Sequence, residues 1–162
     1  HHIGINAGNA NKLVLSAIRD DLVEPLTGYE TIRPEVKYGD ENSRIDLLLQ
    51  DSKKPDCYVE VKNVTLDMGD GLAMFPDSVT TRGTKHLREL IEMASLGHRA
   101  VLLFCVQLSA ADRVEVAADI DPEYAKTMTL AVAKGVEVIA WRTKIDTEEI
   151  SLHQEIKVLT SP

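Results

Sequence analysis

Three charged residues, Asp46, Glu60 and Lys62, stand where their side chains could act together on one substrate. They lie in two runs with the composition of β-strands, residues 43–49 and 57–63, which a polar segment containing a proline separates. Side chains alternate between the two faces of a strand, so Glu60 and Lys62 share one face. If the two runs pair as a hairpin, Asp46 lies opposite Glu60, with Cβ atoms about 4.5–5.5 Å apart. Two carboxylates that close can hold one divalent cation.

A lysine beside two carboxylates extends this chemistry from holding a cation to cleaving a phosphate ester. An ammonium group can orient a water molecule, help to deprotonate it and neutralise charge on a phosphate. The spacing, an aspartate followed after 13 residues by Glu-Val-Lys, is the minimal signature of the PD-(D/E)XK nuclease-like fold. The same letters also fit a solvated hairpin face with one ion pair. The spacing therefore needs support from the elements around it.

The elements that would position these residues follow from the hydrophobic periodicity. Helices are predicted over residues 9–24, 81–96 and 122–134, and strands over residues 29–38, 43–49, 57–63, 100–108 and 136–141. This α-β-β-β-α-β-α-β order predicts an α/β protein with a mixed β-sheet flanked by helices, which is the order of a PD-(D/E)XK, restriction-endonuclease-like core. The last strand–helix–strand unit predicts two parallel strands joined by a right-handed crossover.

The charge of the chain limits how it could meet a polyanion. Of 162 residues, 26 are acidic and 18 are basic, which gives a net charge of −8. Phosphate neutralisation needs lysine and arginine, so this charge argues against a surface that embraces nucleic acid on all sides. The candidate phosphate contacts gather at the start of the second helix, in Arg82, Lys85, His86 and Arg88, aided by the positive end of the helix dipole. An ordinary solvated helix face is the other explanation.

Three further residues are accessory candidates. Glu35 and Lys37 share one face of the strand that precedes Asp46, and they either extend the acidic cluster or pair with each other. Asp77 lies in a long loop over residues 65–80, where it either reaches the cation or caps the helix that follows. Capping is the interpretation favoured by the position of Asp77.

The remaining composition indicates a protein of the cytoplasm without membrane spans. The longest apolar run, residues 100–106, is far shorter than the about 18 residues of a transmembrane candidate, and no secretory signal is found. Cys57 and Cys105 lie in apolar strand runs, where reduced core thiols are expected. Residues 1–8 are expected to be a leader or the remnant of a tag, with one domain over residues 9–162.

Six segments of the sequence resemble the sugar fermentation stimulation protein A (SfsA) family. The most specific is FPDSVTTRGTKHLREL at residues 75–90. The other five are residues 9–13, 35–39, 43–46, 56–66 and 135–139. The resemblance implies a protein of two parts, an OB-fold-like module, which this chain is expected to lack, followed by the nuclease-like domain. It also implies DNA binding and a regulatory role in sugar or maltose metabolism.

Carried over residue by residue, the signature of the family falls on Asp46, Glu60 and Lys62 as catalytic residues. Asp46, Glu60 and the carbonyl of Val61 are the expected ligands of Mg²⁺ or Mn²⁺, because hard cations take oxygen ligands. The predicted function is a bacterial DNA-binding protein with a metal-dependent, endonuclease-like site. The alternatives are a DNA-binding regulator that keeps the nuclease fold without turnover and, more weakly, a module acting on RNA or a nucleotide. A homodimer is expected only by analogy with this nuclease class.

Overall fold

A computed structural model describes residues 10–39, 42–145 and 149–160 of the chain. The predicted leader, residues 1–8, lies outside the described residues. The helices are α1 (Ala10–Arg19), α2 (Thr81–Ser95) and α3 (Pro122–Ala133), with a short 3₁₀ turn at Glu24–Leu26. The strands are β1 (Thr31–Tyr38), β2 (Ser43–Asp51), β3 (Lys54–Val64), β4 (Leu66–Asp67), β5 (Leu72–Phe75), β6 (Arg99–Val106), β7 (Arg113–Val116), β8 (Glu137–Ile145) and β9 (Ile150–Leu159).

One mixed sheet holds the strands together. Across the described part of the chain, nine strands lie in the order β1-β2-β3-β6-β8-β9-β7-β5-β4. The first three strands are antiparallel neighbours, whereas β3, β6 and β8 run parallel to one another. The predicted α-β-β-β-α-β-α-β core is therefore confirmed, and the strand run at residues 100–108 is the buried central strand β6.

Four strands were not predicted from the sequence. β4 and β5 lie inside the region interpreted as a long loop, β7 lies in the acidic connection after β6, and β9 follows the last predicted strand. β5 pairs with β7, and β7 pairs with β9, so each ladder joins segments that are distant in sequence. Short strands of this kind depend on tertiary pairing more than on local propensity.

The first helix is shorter than predicted. α1 buries Ala10, Val14, Ala17 and Ile18 along one face, as the helical spacing requires. The helix ends at Arg19 because Asp21 takes a left-handed conformation with φ of 58°. The segment expected to continue it, residues 20–24, is not part of α1, and the separate 3₁₀ turn begins only at Glu24.

The two faces of the sheet carry two separate cores, and this separation positions the charged residues of β3. One core lies under α2 and α3 and includes Leu87, Leu90 and Met128. The other lies under α1 and receives Val59 and Val61 from β3. Strand alternation therefore points Glu60, which lies between these two valines, toward the α2 side.

Two smaller expectations can be compared with the structure. Both cysteines are buried and free, which confirms the interpretation as core thiols. Among the helices in the described ranges, none combines the length and apolar character that a bilayer crossing requires.

Candidate active site

Glu60, Lys62 and His86 form a triangle of close polar contacts between β3 and α2. Oε2 of Glu60 lies 3.0 Å from Nδ1 of His86 and 3.2 Å from Nζ of Lys62. Nζ of Lys62 is in turn 2.9 Å from Nδ1 of His86. Glu60 and His86 are only 3% and 5% exposed, so these contacts are shielded from bulk water and from salt. The prediction that Glu60 and Lys62 share a face describes this geometry correctly.

The ionisation of Glu60 reflects a competition between burial and its partners. Burial alone opposes the charged carboxylate. The hydrogen bond from His86 and the positive charge of Lys62 outweigh burial, so the pKa of Glu60 lies below its ordinary value of 4.5. Glu60 is therefore an anion at neutral pH, which is the form that can bind a cation.

Asp46 is held by neutral donors instead. Its Oδ1 accepts a hydrogen bond of 2.9 Å from the side-chain amide of Asn11, and its Oδ2 accepts one of 2.7 Å from the backbone N–H of Val61. Burial and then the charge of Glu60 raise the pKa of Asp46 to about 6, although these two hydrogen bonds and Lys62 act in the opposite direction. Because Glu60 raises the pKa of Asp46, the two carboxylates lie within electrostatic reach of each other.

A local twist of β2 brings the Asp46 carboxylate to β3. The β2–β3 ladder begins at the pair Leu47–Val59, so Asp46 and Glu60 stand just beyond it rather than forming the ladder pair expected from a hairpin. Ile45 and Leu47 are two positions apart, yet they enter different cores. The strand therefore twists at Asp46, so that Ile45 and Leu47 point to opposite faces of the sheet. This twist lets the carboxylate accept the Val61 N–H in place of a backbone carbonyl.

The neighbouring strand β1 is distorted at the same level. Glu35 lies between the paired positions Pro34–Leu47 and Val36–Ile45, hence beside Asp46, and has a φ of 53°. A glutamate with positive φ is strained, and such strain is often found at functional sites. Glu35 and Lys37 are both exposed, and no ion pair joins them in the described structure. The interpretation that they pair with each other is therefore wrong.

The donor set fits a hard divalent cation. Oε1 of Glu60 is buried and has no hydrogen-bond partner among the described residues. The oxygens of Asp46 keep lone pairs beyond those used by Asn11 and Val61. Described residues contain no group of three or more His, Cys, Asp or Glu side chains that could hold a metal ion. The site therefore suits an ion that takes two carboxylates and keeps several waters, as Mg²⁺ does.

The burial of His86 was not predicted. The sequence suggested an exposed phosphate contact, but the buried face of α2 includes Gly83, His86, Leu87 and Leu90, so the imidazole points to Glu60. His86 therefore acts on the carboxylate directly instead of facing solvent. The spacing of Gly83, Leu87 and Leu90 is a signal that could have placed His86 beside this face.

The other basic candidates lie on the outer side of α2. Arg82 is exposed and Lys85 is half-buried, so both can be reached from solvent near the start of the helix. Arg88 is also exposed, but it has an interaction partner of its own.

The expected capping role of Asp77 is wrong. The N-cap of α2 is Thr80, whose hydroxyl accepts the backbone N–H of Gly83 at 2.8 Å. Asp121 supports this cap by accepting the backbone N–H of Thr80 at 2.8 Å, and it caps α3 as well. Asp77 lies exposed in the segment before the cap, where its side chain has no part in ending or starting the helix.

The mixed sheet with its core order and its charged strand edge defines a restriction-endonuclease-like α/β domain. The family description "Sugar fermentation stimulation protein RE domain" matches residues 8–149. The chain belongs to this family, the SfsA family, as its sequence segments suggested.

Individual relatives agree with this assignment. The chain is 56% identical over 156 residues to the sugar fermentation stimulation protein homolog of Shewanella sp. strain MR-4, covering 96% of this chain and 66% of the relative. Its identity to the Pseudoalteromonas atlantica homolog is 53% over 159 residues, covering 98% and 68%. The chain thus spans about two thirds of the length of these relatives.

A solved relative has the same fold. The structure of Pyrococcus furiosus SfsA in complex with Ca²⁺ superposes with a TM-score of 0.83 at 31% sequence identity. The match covers 92% of this chain and 63% of that protein.

Proposed function

We propose that this domain binds DNA and hydrolyses its phosphodiester bonds with Mg²⁺ or Mn²⁺. The observation that carries the proposal is the triangle of Glu60, Lys62 and His86 beside Asp46. It combines two acidic oxygen donors, a lysine and a proton-exchanging imidazole in one shielded place. A site that served only to stabilise the fold would gain little from placing a half-buried carboxylate beside a buried one.

Asp46, Glu60 and the carbonyl of Val61 are the residues that would hold the cation. The Ca²⁺ in the structure of the Pyrococcus furiosus relative supports a divalent cation in this family. Ca²⁺, Mg²⁺ and Mn²⁺ all prefer oxygen ligands. When bound, a divalent cation lowers the pKa of its water and stabilises the charge that develops on the phosphate. The neutral donors on Asp46 fix the orientation of its carboxylate for this purpose.

His86 can link Lys62 and Glu60 in two hydrogen-bond arrangements. The ammonium of Lys62 has only donors, so Nδ1 of His86 can accept a hydrogen bond from it. In the other tautomer, Nδ1 of His86 carries a proton and donates it to Oε2 of Glu60. In this proposal Lys62 orients the attacking water, and His86 holds Lys62 or Glu60 in place.

The basic residues of α2 give the DNA backbone a place to dock. Arg82 precedes His86 by four positions, which makes the two side chains neighbours on the helix surface. His86 touches Glu60, so a phosphate bound by Arg82 and Lys85 would lie near the carboxylates. Only one side of the molecule would meet the polyanion, which suits a net charge of −8.

A DNA-binding regulator without turnover is the second candidate. The name of the relatives, which links them to the stimulation of sugar fermentation, favours it. Such a regulator would bind DNA through the same basic residues and leave it intact. Cytoplasmic localisation and a homodimer also stay predictions for this chain.

A cleavage assay separates the candidates. Supercoiled plasmid, single-stranded DNA and RNA are incubated with the protein in Mn²⁺, in Mg²⁺ and in EDTA, beside Lys62→Ala and the control Lys53→Ala. Lys53 is exposed in the β2–β3 turn, and its side chain makes no hydrogen bond or ion pair with the described residues. The proposal expects DNA cleavage that needs the metal and Lys62 but not Lys53. Retarded but intact DNA supports the regulator, and cleavage that persists in Lys62→Ala contradicts the assigned site.

A further inference from the structure

A further carboxylate is buried one helical turn from the triangle. Glu89 follows His86 by three positions in α2, so the two side chains are neighbours on one helix face. Glu89 is only 2% exposed, and neither of its oxygens has a hydrogen-bond partner in the part of the chain that the structure describes. A buried carboxylate without partners is costly, so such a group calls for an explanation.

The backbone of β1 is shaped to admit this carboxylate. A Cβ atom added to Gly39 would lie 2.6 Å from Oε2 of Glu89, which is closer than real contacts allow. Gly39 also has a φ of 75°, a conformation that side chains other than glycine rarely adopt. Glu89 therefore approaches the end of β1 at a glycine whose backbone conformation also disfavours other residues.

The polar groups around Glu89 are unpaired as well. Tyr38, the residue before Gly39, pairs with Ser43 across the β1–β2 ladder. Both side chains are buried, and neither the phenol nor the hydroxyl has a hydrogen-bond partner among the described residues. Donors and acceptors thus coexist in one buried region without contacting each other, which points to an occupant that would satisfy both.

The same phenol connects Glu89 to the candidate active site. Burial, and then the charges of Glu60, Glu89 and Asp46, raise the pKa of Tyr38. The phenol therefore lies within electrostatic reach of all three carboxylates. Oε1 of Glu60 is likewise buried and unpaired. The unpaired atoms thus extend from the ligand oxygen of Glu60 to Glu89.

We propose that Glu89 is a positioning residue of the cation site and accepts hydrogen bonds from the waters of the ion that Asp46 and Glu60 hold. Glu89 acts through water because the described residues contain no group of three side chains arranged to ligate one ion. Mg²⁺ keeps several of its waters when protein carboxylates bind it, and those waters need acceptors. This inference rests on the proposed function, and it assigns a residue that the D-E-K signature does not include.

Calorimetric titration with Mn²⁺ in the absence of nucleic acid tests the assignment. The variants are Glu89→Gln and Glu60→Gln, with the exposed Glu155→Gln on β9 as the matched control. Glu89→Gln is expected to weaken Mn²⁺ binding roughly 10-fold to 100-fold, as the loss of an outer-shell partner does. Glu60→Gln should abolish binding, and Glu155→Gln should bind as the unmodified protein does.

Thermal melting separates this role from a purely structural one. In EDTA, Glu89→Gln should melt at the same or a higher temperature, because an unpaired buried charge is removed. The rise in melting temperature on adding Mn²⁺ should be smaller than in the unmodified protein, since that rise follows the affinity. A lower melting temperature in EDTA together with an unchanged dissociation constant would overturn the assignment.

The outcomes also separate this inference from the proposed function. If the unmodified protein does not bind Mn²⁺, the proposed metal site fails and the role of Glu89 fails with it. If Glu60→Gln loses binding while Glu89→Gln binds normally, only the inference about Glu89 is overturned. If Glu89→Gln does not fold, Glu89→Asp is measured instead. Its Mn²⁺ affinity is expected to lie between those of the unmodified protein and Glu60→Gln. An affinity equal to that of the unmodified protein would contradict the assignment.

Discussion

Asp46 and Glu60 are two carboxylates at neighbouring positions of the sheet, the first half-buried and the second buried, yet their environments shift their pKa values in opposite directions. Asp46 lies between β2 and α1, where an amide side chain and a backbone N–H are its hydrogen-bond donors. Glu60 lies between β3 and α2, where His86 and the ammonium of Lys62 contact it. The pKa of Asp46 rises to about 6, whereas the pKa of Glu60 falls below 4.5.

The difference shows that burial alone does not decide the charge of a site. Burial raises the pKa of both carboxyl groups, and only at Glu60 do the hydrogen bond from His86 and the charge of Lys62 reverse the effect. Asp46 therefore holds its proton more readily than Glu60 does. Pairs of titratable groups pushed apart in this way are typical of sites that carry out acid–base chemistry.

Removing Lys62 should have the largest effect, because Lys62 is the residue proposed to orient the attacking water. Lys62→Ala is expected to lower DNA hydrolysis by about 10²-fold to 10⁴-fold, the usual contribution of a positioned acid–base group. Its affinity for Mn²⁺ should stay close to that of Lys53→Ala, since Asp46 and Glu60 remain. Rates come from the plasmid assay and affinities from calorimetry. An equal loss of both properties would contradict the separate roles of lysine and carboxylates.

Removing Glu60 should break the contacts that join Glu60 to Lys62 and His86. Glu60→Ala leaves Lys62 and His86 facing each other without their shared anion. We expect the free energy of unfolding to fall by about 3 kcal/mol, the lower end of the range for breaking a buried pair, because Lys62 is partly exposed. Urea unfolding in EDTA measures this, with Glu155→Ala as the control. A loss no greater than that of the control would show that the triangle does not stabilise the fold.

Asp46 should change the free energy of unfolding with pH in the direction opposite to that of Glu60. The pKa of Asp46 is about 6 in the folded protein against an ordinary 3.8, so between these values the folded state holds a proton that the unfolded state has lost. In the metal-free protein, the contribution of Asp46 to the free energy of unfolding therefore falls as the pH rises from 3.8 to about 6. The pKa of Glu60 is lowered, so its contribution is present above about pH 4.5 and is lost as the pH falls.

The variant Asp46→Asn isolates the contribution of Asp46. At pH 7 in EDTA it should be more stable than the unmodified protein by about 1–2 kcal/mol. The asparagine would carry no charge, so the cost of ionising Asp46 in the folded protein, about 3 kcal/mol from its raised pKa, would be removed. The asparagine would also make weaker hydrogen bonds, which offsets about 1 kcal/mol of that gain. Urea unfolding at several pH values from 4 to 7 provides the measurement. An unchanged slope of stability against pH in Asp46→Asn would contradict the assigned protonation.

The smallest effect is expected from Asn11, which supplies one neutral donor to Asp46. Asn11→Ala should cost about 1 kcal/mol of unfolding free energy, the typical contribution of one hydrogen bond. It should also raise the pKa of Asp46 further, because that hydrogen bond favours the charged form. A ¹³C NMR titration of the carboxyl groups reports the shift, and Lys12→Ala, exposed on the same helix, is the control. A downward shift would contradict the account.

The sequence was sufficient for the core of the fold and for the face of β3. The alternation of Val59, Glu60 and Val61 could be read locally, because strand periodicity depends only on neighbouring residues. The order of helices and strands followed for the same reason. The short strands β5 and β7 pair with distant segments, and the two-residue strand β4 pairs with β5, so local propensity carried too little information to predict them.

The candidate site was predictable in its residue types but not in its contacts. The twist of β2 at Asp46 and the distortion of β1 at Glu35 lie side by side, and neither has a sequence signal of its own. His86 and Glu89 are buried because the inward face of α2 includes Gly83 and Met93 as well as Leu87 and Leu90. A shift of one position around a helix changes which polar residues point inward.

The most direct test of the central claim is an anomalous difference map from crystals of this protein grown with Mn²⁺. The account predicts a manganese peak between the carboxylates of Asp46 and Glu60, next to the carbonyl of Val61, and no such peak in Glu60→Gln. An empty site at saturating Mn²⁺, or a peak only at another place on the surface, would contradict it.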